Sequence, residues 1–495
     1  MSEQVSEAST TTGVASLGAR AATGAFWITI EMVTVQALSL LVFAVLAHLL
    51  KPRDFGLAAI CFAFIYSLKQ LTFDQMVTPL LRKVSASNLE YTTAFWMSAI
   101  FGVTTVLVLC GFSFVADRIF HTSGLGAVMR PMSLMLIALS LSRTQEAWLM
   151  RHFRFRILAI RSIIGMFLGA AAGIAAAFYG LGVWSLVIQQ SVGSFSSLGM
   201  LWMSTPWRPG FEFSGKSAAE LMMFLRGISG NAFLGILNQN ADTAIIAAFF
   251  GPGSAGVYTV GKRLRLALQL VASNPVNLLA LPSLSEAQED PVRQRHVFLM
   301  ASRLVFTCCA PVFLGAAAVA TPAIVLLFGS RWAGAGNVFA WLSVGGLCAL
   351  AFDYFGTILL MRNRPTWLTG LAAVQTTLSI ALFVLLHASG MRMIAAPFVL
   401  PYIVTVPACA VLALRLLDLK ILQWLKAVSP PLFAALLMSL ITRALSPILG
   451  AMPESARLAI VCTTGAVVYG ILMTILARDT VMIGVRFVRD RLARA

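Results

Sequence analysis

The stretch AFWMSAIFGVTTVLVLCGFSFV, residues 94–115, runs for 22 residues without a charged side chain. As an α-helix it would be about 33 Å long, enough to cross the roughly 30 Å hydrocarbon core of a bilayer. Similar runs recur along the chain, and they are continuous rather than alternating between apolar and polar residues. Transmembrane β-barrels alternate, so the sequence predicts an all-α polytopic membrane protein.

The composition of the 495 residues leads to the same prediction. Hydrophobic residues make up 59% of the chain and charged residues 11%, whereas soluble domains contain about 45–50% and about 25%. The net charge of +17 would, in a soluble protein, raise the question of nucleic acid binding. In a membrane protein an excess of Lys and Arg is typical of cytoplasmic loops, so we expect no nucleic acid partner.

Windows of about 20 residues predict fourteen transmembrane helices. They are expected at residues 24–49, 55–80, 90–115, 125–149, 157–178, 181–203, 221–250, 254–281, 297–320, 335–361, 366–387, 393–414, 427–441 and 456–477. Of the Lys and Arg residues outside these helices, 20 fall on the side of the N-terminus and 7 on the other. The positive-inside rule therefore places both termini in the cytoplasm.

The N-terminal segment carries Glu3 and Glu7 and has neither a basic n-region nor a cleavable apolar h-region. We therefore expect no signal peptide and a first helix that is retained. The predicted domains are a cytoplasmic N-terminal segment 1–23, an N-lobe 24–203, a cytoplasmic linker 204–220, a C-lobe 221–414, the last two helices with their preceding linker 415–478, and a basic cytoplasmic tail 479–495.

A Pro-Gly pattern occurs twice at equivalent positions. Pro52 and Gly56 follow the first predicted helix, and Pro252 and Gly256 follow the seventh, 200 residues later. An offset that spans six helices indicates two copies of a six-helix unit in the same membrane orientation. Ordinary helix punctuation, in a chain with 19 Pro and 37 Gly, is the alternative explanation.

Charged residues lie within the predicted helices. The nine cations are Lys69, Arg130, Arg143, Arg161, Arg226, Lys262, Arg263, Arg265 and Arg303, and the five acids are Glu31, Asp74, Glu146, Asp242 and Asp353. At about 3 kcal/mol per central charge, fourteen lipid-facing charges would cost roughly 40 kcal/mol, so most must face other helices or water. Alternatively, Arg130, Arg161 and Arg226, near helix ends, extend their side chains to the interface.

Two polar faces stand out in the seventh and eighth predicted helices. Lys262, Arg265 and Gln269 share one helical face, with Arg263 beside it. A stripe about 16 Å long runs along the preceding helix and indicates either a wet cavity or a polar seam between helices. Its residues are Asn231, Gly235, Asn238 and Asp242.

The excess of intramembrane cations over acids favours an anionic substrate, since Lys and Arg both bind phosphate well. The predicted cationic cavity comprises Lys69, Arg143, Lys262, Arg263, Arg265 and Arg303, and Asn231, Asn238, Asp242 and Gln269 form its polar stripe. Arg143 and Glu146 stand at i, i+3 and are expected to pair. Glu31, Asp242 and Asp353 are candidates for coupling to protons or sodium ions, with structural pairing to a cation as the alternative for each.

Several classes of protein are disfavoured by what the sequence lacks. No GxxxxGK[ST] loop is present to hold a nucleotide, and the seven cysteines show no metal-ligand spacing. We therefore expect no catalytic residues, no metal and no cofactor beyond a coupling ion. An integral membrane glycosyl- or acyltransferase would need a catalytic acid or His with a substantial outside loop, whereas the predicted outside loops are short.

Four segments carry a family resemblance. They are LLKPRDFGLAAI (49–60), TAFW (93–96), QNADTAIIAAFFGPGSAGVYTVGKRL (239–264) and LFGSRW (327–332). In this order they resemble the bacterial polysaccharide transporter family, the Wzx-type lipid-linked oligosaccharide flippases of the multidrug/oligosaccharidyl-lipid/polysaccharide (MOP) superfamily. The similarity covers about residues 20–415 and, weakly, the last two helices. One departure is that TAIIAAFFG lacks the basic residue that often follows this Asp in the family, so the resemblance does not imply headgroup contact from that turn.

The resemblance implies two six-helix lobes in a V shape around a cationic cavity that opens alternately to each side, plus two C-terminal helices. It implies a flippase that moves an undecaprenyl-pyrophosphate-linked oligosaccharide across the bacterial inner membrane for exopolysaccharide, O-antigen or capsule synthesis. Membrane lipid, polysaccharide polymerase and export machinery are the candidate partners. A peptidoglycan-precursor flippase and a multidrug or cation antiporter of the same superfamily are the alternatives, and the transferase is the alternative from another class.

Overall fold

The computed structural model describes the backbone of residues 2–83, 86–286, 290–387, 393–450 and 452–478. Side chains are described over the same ranges except 2–22, 227–241, 271 and 273–286. Every regular element in these ranges is a helix, as the apolar runs predict. The chain divides into two compact units, Met1–Gly256 and Val257–Ala495.

The first unit contains nine α-helices, the last of which continues beyond Gly256. They are α1 Ser2–Leu49, α2 Pro52–Leu71, α3 Val77–Arg82, α4 Asn88–Ile119, α5 Leu125–Ser133, α6 Met135–Arg151, α7 Phe155–Phe178, α8 Trp184–Ser204 and α9 Gly215–Glu286. A 3₁₀ turn, Asp74–Met76, separates α2 from α3. Within this unit α7 packs along both α1 and α8, and α4 packs against α5 and α6.

The second unit begins within α9. Its further helices are α10 Pro291–Ala318, α11 Ala320–Phe328, α12 Ala333–Met361, α13 Pro365–Leu386, α14 Ala396–Val399, α15 Tyr402–Leu416, α16 Ile421–Ile448 and α17 Glu454–Leu476. Aromatic side chains of α10, α12 and α16 form its core, where Phe298, Phe306, Phe355 and Trp424 are buried. The Phe298 and Tyr354 rings stack with their centroids 5.2 Å apart.

Twelve helical stretches of described residues are long and apolar enough to cross a membrane, and the protein is thus a multi-span membrane protein. They include predicted helices one to five and nine to fourteen. The sixth predicted helix coincides with α8, which has 21 residues but is not among the twelve. The seventh and eighth predicted helices both fall on α9. The remaining one of the twelve stretches, Asp242–Leu270, lies in this helix. The total of fourteen, like the division into lobes, stays a prediction.

Local chemistry explains where several helices begin. Ser87 forms a capping box at the start of α4: its hydroxyl accepts from the Glu90 N–H at 3.3 Å, and the Ser87 N–H donates to Glu90 Oε2 at 2.8 Å. At the start of α10, Asp290 Oδ1 accepts from the N–H groups of Val292 and Arg293. These bonds satisfy backbone donors that have no partner inside the helix.

Two predicted boundaries are corrected by the structure. The predicted gap 251–253 is a single non-helical residue inside α9, Gly251, which has φ 77° and ψ 176°. Glycine tolerates this left-handed φ without steric cost, so the chain resumes its helix at once. The helix predicted at 427–441 is Ile421–Ile448. The prediction starts too late because it counts Lys426 as a loop residue, although a long cationic side chain can stand inside a helix end and reach water.

The segment between α8 and α9 is fastened to α4. Trp207 Nε1 donates to Asn88 Oδ1 at 2.6 Å, and Trp96 Nε1 donates to the carbonyl of Gly210 at 2.8 Å. The Ser214 N–H donates to the hydroxyl of Thr93 at 3.1 Å. The predicted linker 204–220 is therefore an ordered part of the first unit, and its last residues belong to α9.

Candidate functional site

In the first unit, five charged side chains from three helices and one turn form a continuous set of ion pairs. We call this set the charge network; it consists of Lys69 on α2, Asp74 on the 3₁₀ turn, Arg143 and Glu146 on α6, and Arg161 on α7. All five lie within or between stretches assigned as membrane-spanning. Three cations and two acids leave one positive charge in excess.

Cations and acids alternate along the network. Lys69 Nζ lies 2.8 Å from Asp74 Oδ2, and Asp74 Oδ1 lies 3.0 Å from Arg143 Nε. Arg143 Nη1 then contacts Glu146 Oε2 at 2.8 Å, and Glu146 Oε1 contacts Arg161 Nη2 at 2.7 Å. Each acid is thus held by two cations, and Arg143 joins the two halves. Removing one member of a buried pair leaves an uncompensated charge that typically costs about 3–5 kcal/mol.

The network agrees in part with the sequence-based expectations. The i, i+3 pair of Arg143 and Glu146 is present. Arg161 does not extend to an interface but contacts Glu146 instead, because α7 brings it beside α6. The sequence predicts Asp74, Glu146 and Arg161 as intramembrane charges but not as site residues. Their positions inside apolar segments are the signal in the sequence, whereas the pairing of Asp74 with Arg143 and of Glu146 with Arg161 cannot be read from spacing.

Arg130 and Arg226, the other two cations near helix ends, have different surroundings. Arg130 Nε donates to the Ser113 hydroxyl at 2.9 Å, and its guanidinium lies 4.3 Å from the centroid of the Phe114 ring. Arg130 therefore packs against α4, whereas Arg226 is exposed.

In the second unit, the cations predicted on α9 are partly buried rather than fully exposed, which holds for Lys262, Arg263 and Arg265. Arg265 Nη1 donates to Gln269 Oε1 at 2.9 Å, so these two residues do share a helical face. Lys262 Nζ lies 6.0 Å from the centroid of the Tyr258 ring, within the range of a cation–π contact. These two contacts, to an amide and to an aromatic ring, hold Arg265 and Lys262 along the face of α9.

An acidic and a polar side chain of two other helices lie near Arg265. Asp353 of α12 and Tyr402 of α15 both lie within electrostatic range of the Arg265 guanidinium. Asp353 stands within a span, where a carboxylate facing lipid is costly, so the nearby Arg265 is a favourable neighbour for it. Arg303 on α10 is partly buried, and its Nε has no hydrogen-bond partner among the described residues.

The remaining predicted residues are placed as follows. Glu31 on α1 is partly buried, and within the described part of the chain its carboxylate has neither a hydrogen-bond nor an ion-pair partner. Asp242 Oδ1 accepts from the Thr243 N–H at 2.6 Å. The side chains of Asn231 and Asn238 lie outside the described residues.

A third charged group lies where α3, α4 and α9 meet in the first unit. Lys83, in the loop after α3, donates to Glu90 and to Glu220 Oε2, the latter at 2.8 Å. The hydrogen bonds to Glu220 and then to Glu90 raise the pKa of Lys83 above its usual value. This group holds the start of α9 against α4 and contains none of the predicted substrate-binding residues.

Comparison with known proteins gives a consistent family. The model of a family described as polysaccharide biosynthesis protein matches residues 45–336. The succinoglycan biosynthesis transport protein ExoT of Rhizobium meliloti (strain 1021) is 26% identical over 463 residues, covering 91% of this chain and 92% of ExoT. The lipopolysaccharide biosynthesis protein WzxC of Escherichia coli (strain K12) is 21% identical over 355 residues, covering 70% of this chain and 71% of WzxC.

Among solved structures, a lipid II flippase, MurJ, in an inward closed conformation superimposes with a TM-score of 0.74. The match covers 92% of this chain and 99% of MurJ at 14% sequence identity. At this identity the comparison shows a shared fold and does not bear on the substrate.

Proposed function

The chain belongs to the polysaccharide biosynthesis protein family, and from that membership we propose that it is a flippase for lipid-linked oligosaccharides, a transporter and not an enzyme. Its substrate is an oligosaccharide repeat unit on undecaprenyl pyrophosphate, which it moves from the cytoplasmic to the periplasmic leaflet. The product feeds the synthesis of an envelope polysaccharide: exopolysaccharide, O-antigen or capsule. The observation that carries this proposal is the similarity to a succinoglycan transport protein over 91% of the chain.

The physical task explains why cations stand inside the membrane-spanning segments. A strongly anionic pyrophosphate and several sugars must cross about 30 Å of hydrocarbon while the polyprenyl chain remains in lipid. Lys and Arg side chains replace the water that the pyrophosphate loses, Arg through its planar fork and Lys as a compact charge. A cavity that offered no such groups would leave a buried charge unpaired at a cost of several kcal/mol.

In the second unit, we assign Lys262, Arg263, Arg265 and Arg303 to contact with the pyrophosphate. The partly buried state of these cations supports the assignment, since a site must be reachable and yet desolvated. The Arg303 Nε, buried without a hydrogen-bond partner among the described residues, is one donor that the substrate can satisfy. Gln269, which already orients Arg265, belongs with Asn231, Asn238 and Asp242 to the groups that bind sugar hydroxyls.

In the first unit, Lys69 and Arg143 are the cations that we assign to the substrate. Both are already paired with Asp74 in the charge network. Arg161 and Glu146 have a supporting role. Glu146 contacts Arg143 through Nη1, whereas Asp74 contacts it through Nε, so the two acids do not compete for one nitrogen.

Direction must come from an ion gradient or from different affinities of the inward- and outward-open states. Glu31, Asp242 and Asp353 are the carboxylates we assign to proton or sodium coupling. Glu31 is the favoured one of the three, because its carboxylate is partly buried and, over the described part of the chain, has no cation beside it. We place the protein in the bacterial inner membrane with both termini cytoplasmic, next to the polymerase and export machinery that consume its product.

Reconstitution into proteoliposomes tests the function. Vesicles containing the purified chain and an undecaprenyl-pyrophosphate oligosaccharide, labelled on the sugar, are compared with protein-free vesicles, and the fraction of label accessible from outside is followed with time. We expect accessibility in both leaflets to equilibrate only when the protein is present. Movement of lipid II but not of other lipid-linked glycans, or efflux of cationic dyes alone, would contradict the proposal.

A further inference from the structure

The two acids of the charge network differ in their surroundings. Asp74 belongs to a 3₁₀ turn of three residues between α2 and α3, and 25% of its side chain is exposed. Glu146 lies on α6, a helix of 17 residues, and only 6% of its side chain is exposed. Phe73 and Met76, beside Asp74, are buried and hold the backbone of the turn, but the more exposed Asp74 carboxylate can change partners by rotation of its own side chain. Asp74 is therefore the acid that can leave its partners.

The cations that Asp74 holds are slightly more exposed than the third cation of the network. The side chains of Lys69 and Arg143 are 19% and 18% exposed, whereas the more remote Arg161 is 14% exposed. Lys69 donates one hydrogen bond to Asp74 Oδ2, and its ammonium group has two further N–H groups. When Asp74 moves away, Glu146 still holds Arg143 through Nη1.

A phosphate group can take the place of the Asp74 carboxylate. Both present oxygen acceptors to Lys and Arg at similar distances, but a pyrophosphate has more oxygens and more negative charge. The cations have already lost most of their water to the protein, so an incoming anion exchanges one partner for another and needs no further desolvation of the cations. The excess positive charge of the network favours the anion with the larger charge.

From this geometry, and resting on the proposed function, we infer that Asp74 is an exchangeable counter-ion that holds Lys69 and Arg143 in the empty transporter and is displaced from them by the pyrophosphate of the substrate. The return of Asp74 to the two cations then helps to release the product. Asp74 is in this sense a positioning residue that sets affinity, while Glu146 is a permanent structural partner.

The inference predicts different effects on substrate affinity for the two acids. With the full chain in nanodiscs and undecaprenyl pyrophosphate as the probe, we expect Asp74→Asn to bind the probe about tenfold more tightly than the wild type, since the competitor is gone. In proteoliposomes the same variant should flip more slowly, because product release is impaired. Glu146→Gln raises the net charge of the network equally but leaves Asp74 in place as the competitor, so folded Glu146→Gln should tighten binding less than Asp74→Asn does. Unchanged or weaker binding by folded Asp74→Asn overturns the inference.

A second variant covers the case in which Asp74→Asn fails to fold. If Lys69 contacts the substrate, Lys69→Gln should weaken binding of undecaprenyl pyrophosphate about tenfold. If Lys69 serves only to neutralise Asp74, binding stays at the wild-type value, and the inference is wrong. Failure of the proposed function is distinguishable, because the wild type itself would then neither bind the probe nor flip the glycan.

Discussion

Gly56 and Pro252 pack backbone against backbone within the first unit, so closely that a Cβ atom built on Gly56 would lie 1.6 Å from the Pro252 carbonyl oxygen. The contact is reciprocal: a Cβ on Gly256 would lie 2.0 Å from the carbonyl oxygen of Pro52. The two Pro-Gly patterns that match at an offset of 200 residues therefore contact each other. The close packing explains why each pattern contains a glycine. Helix punctuation alone would not require the two patterns to touch.

A methyl group at either glycine should destabilise the protein. Because the obstructing atoms are backbone, which cannot rotate away, we expect Gly56→Ala and Gly256→Ala each to cost about 3 kcal/mol, at the upper end of overpacking effects. Thermal unfolding in detergent measures the loss. Gly253→Ala is the matched control, since a Cβ there meets nothing within 4 Å. Equal melting temperatures for all three variants would contradict the close contact.

Charge reversal at Arg265 should abolish envelope polysaccharide export while the protein remains in the membrane. Arg265→Glu places an acid beside Asp353 and turns an attractive site for pyrophosphate into a repulsive one. Export is measured as surface polysaccharide in a strain that depends on this chain, with membrane abundance measured by immunoblot. Arg415→Glu, at an exposed position of α15, is the control and should export normally. Normal export from stable Arg265→Glu would remove the second-unit site.

Neutralising Glu146 should be costly. Glu146→Gln leaves Arg143 and Arg161 facing each other across a buried amide, and we expect a loss of about 3–5 kcal/mol in the free energy of unfolding. Glu454→Gln removes an exposed acid that is 3.7 Å from Arg457 and should change stability by less than about 1 kcal/mol.

A double-mutant cycle separates the network from general damage. Adding Arg161→Gln to Glu146→Gln removes the stranded cation and should recover part of the lost stability. If the two losses simply add, the ion pair of Glu146 with Arg161 does not contribute as the geometry indicates.

Loss of the Trp207 donor should loosen the segment between α8 and α9. Trp207→Phe keeps most of the ring but leaves the Asn88 carbonyl group of the side chain without its donor at 2.6 Å. We expect a cost of about 1–3 kcal/mol and faster hydrogen exchange in the residues that follow α8. Trp184→Phe, at an exposed position, is the control and should exchange like the wild type. Identical exchange in both variants would show that the bond does not fasten this segment.

Much of the helical architecture follows from the chain read locally. The charge-free run 94–115 predicts a span that the structure places inside α4, and the pairing of Arg143 with Glu146 follows from their i, i+3 spacing. Hydropathy and helical periodicity act over neighbouring residues, so they are visible before any folding. The same reasoning located the charges that the membrane-spanning helices carry.

Which charges meet was decided only by the packing of helices. Asp74 reaches Arg143 because the 3₁₀ turn packs against α6, and Arg161 reaches Glu146 because α7 packs against α6. In the second unit, Arg265 and Asp353 approach in the same way. The free energy of an ion pair depends on separation in space, and two helices distant in sequence can present any of several faces to one another. A linear pattern specifies the charge on each helix, whereas the neighbour of that charge is set by tertiary contacts.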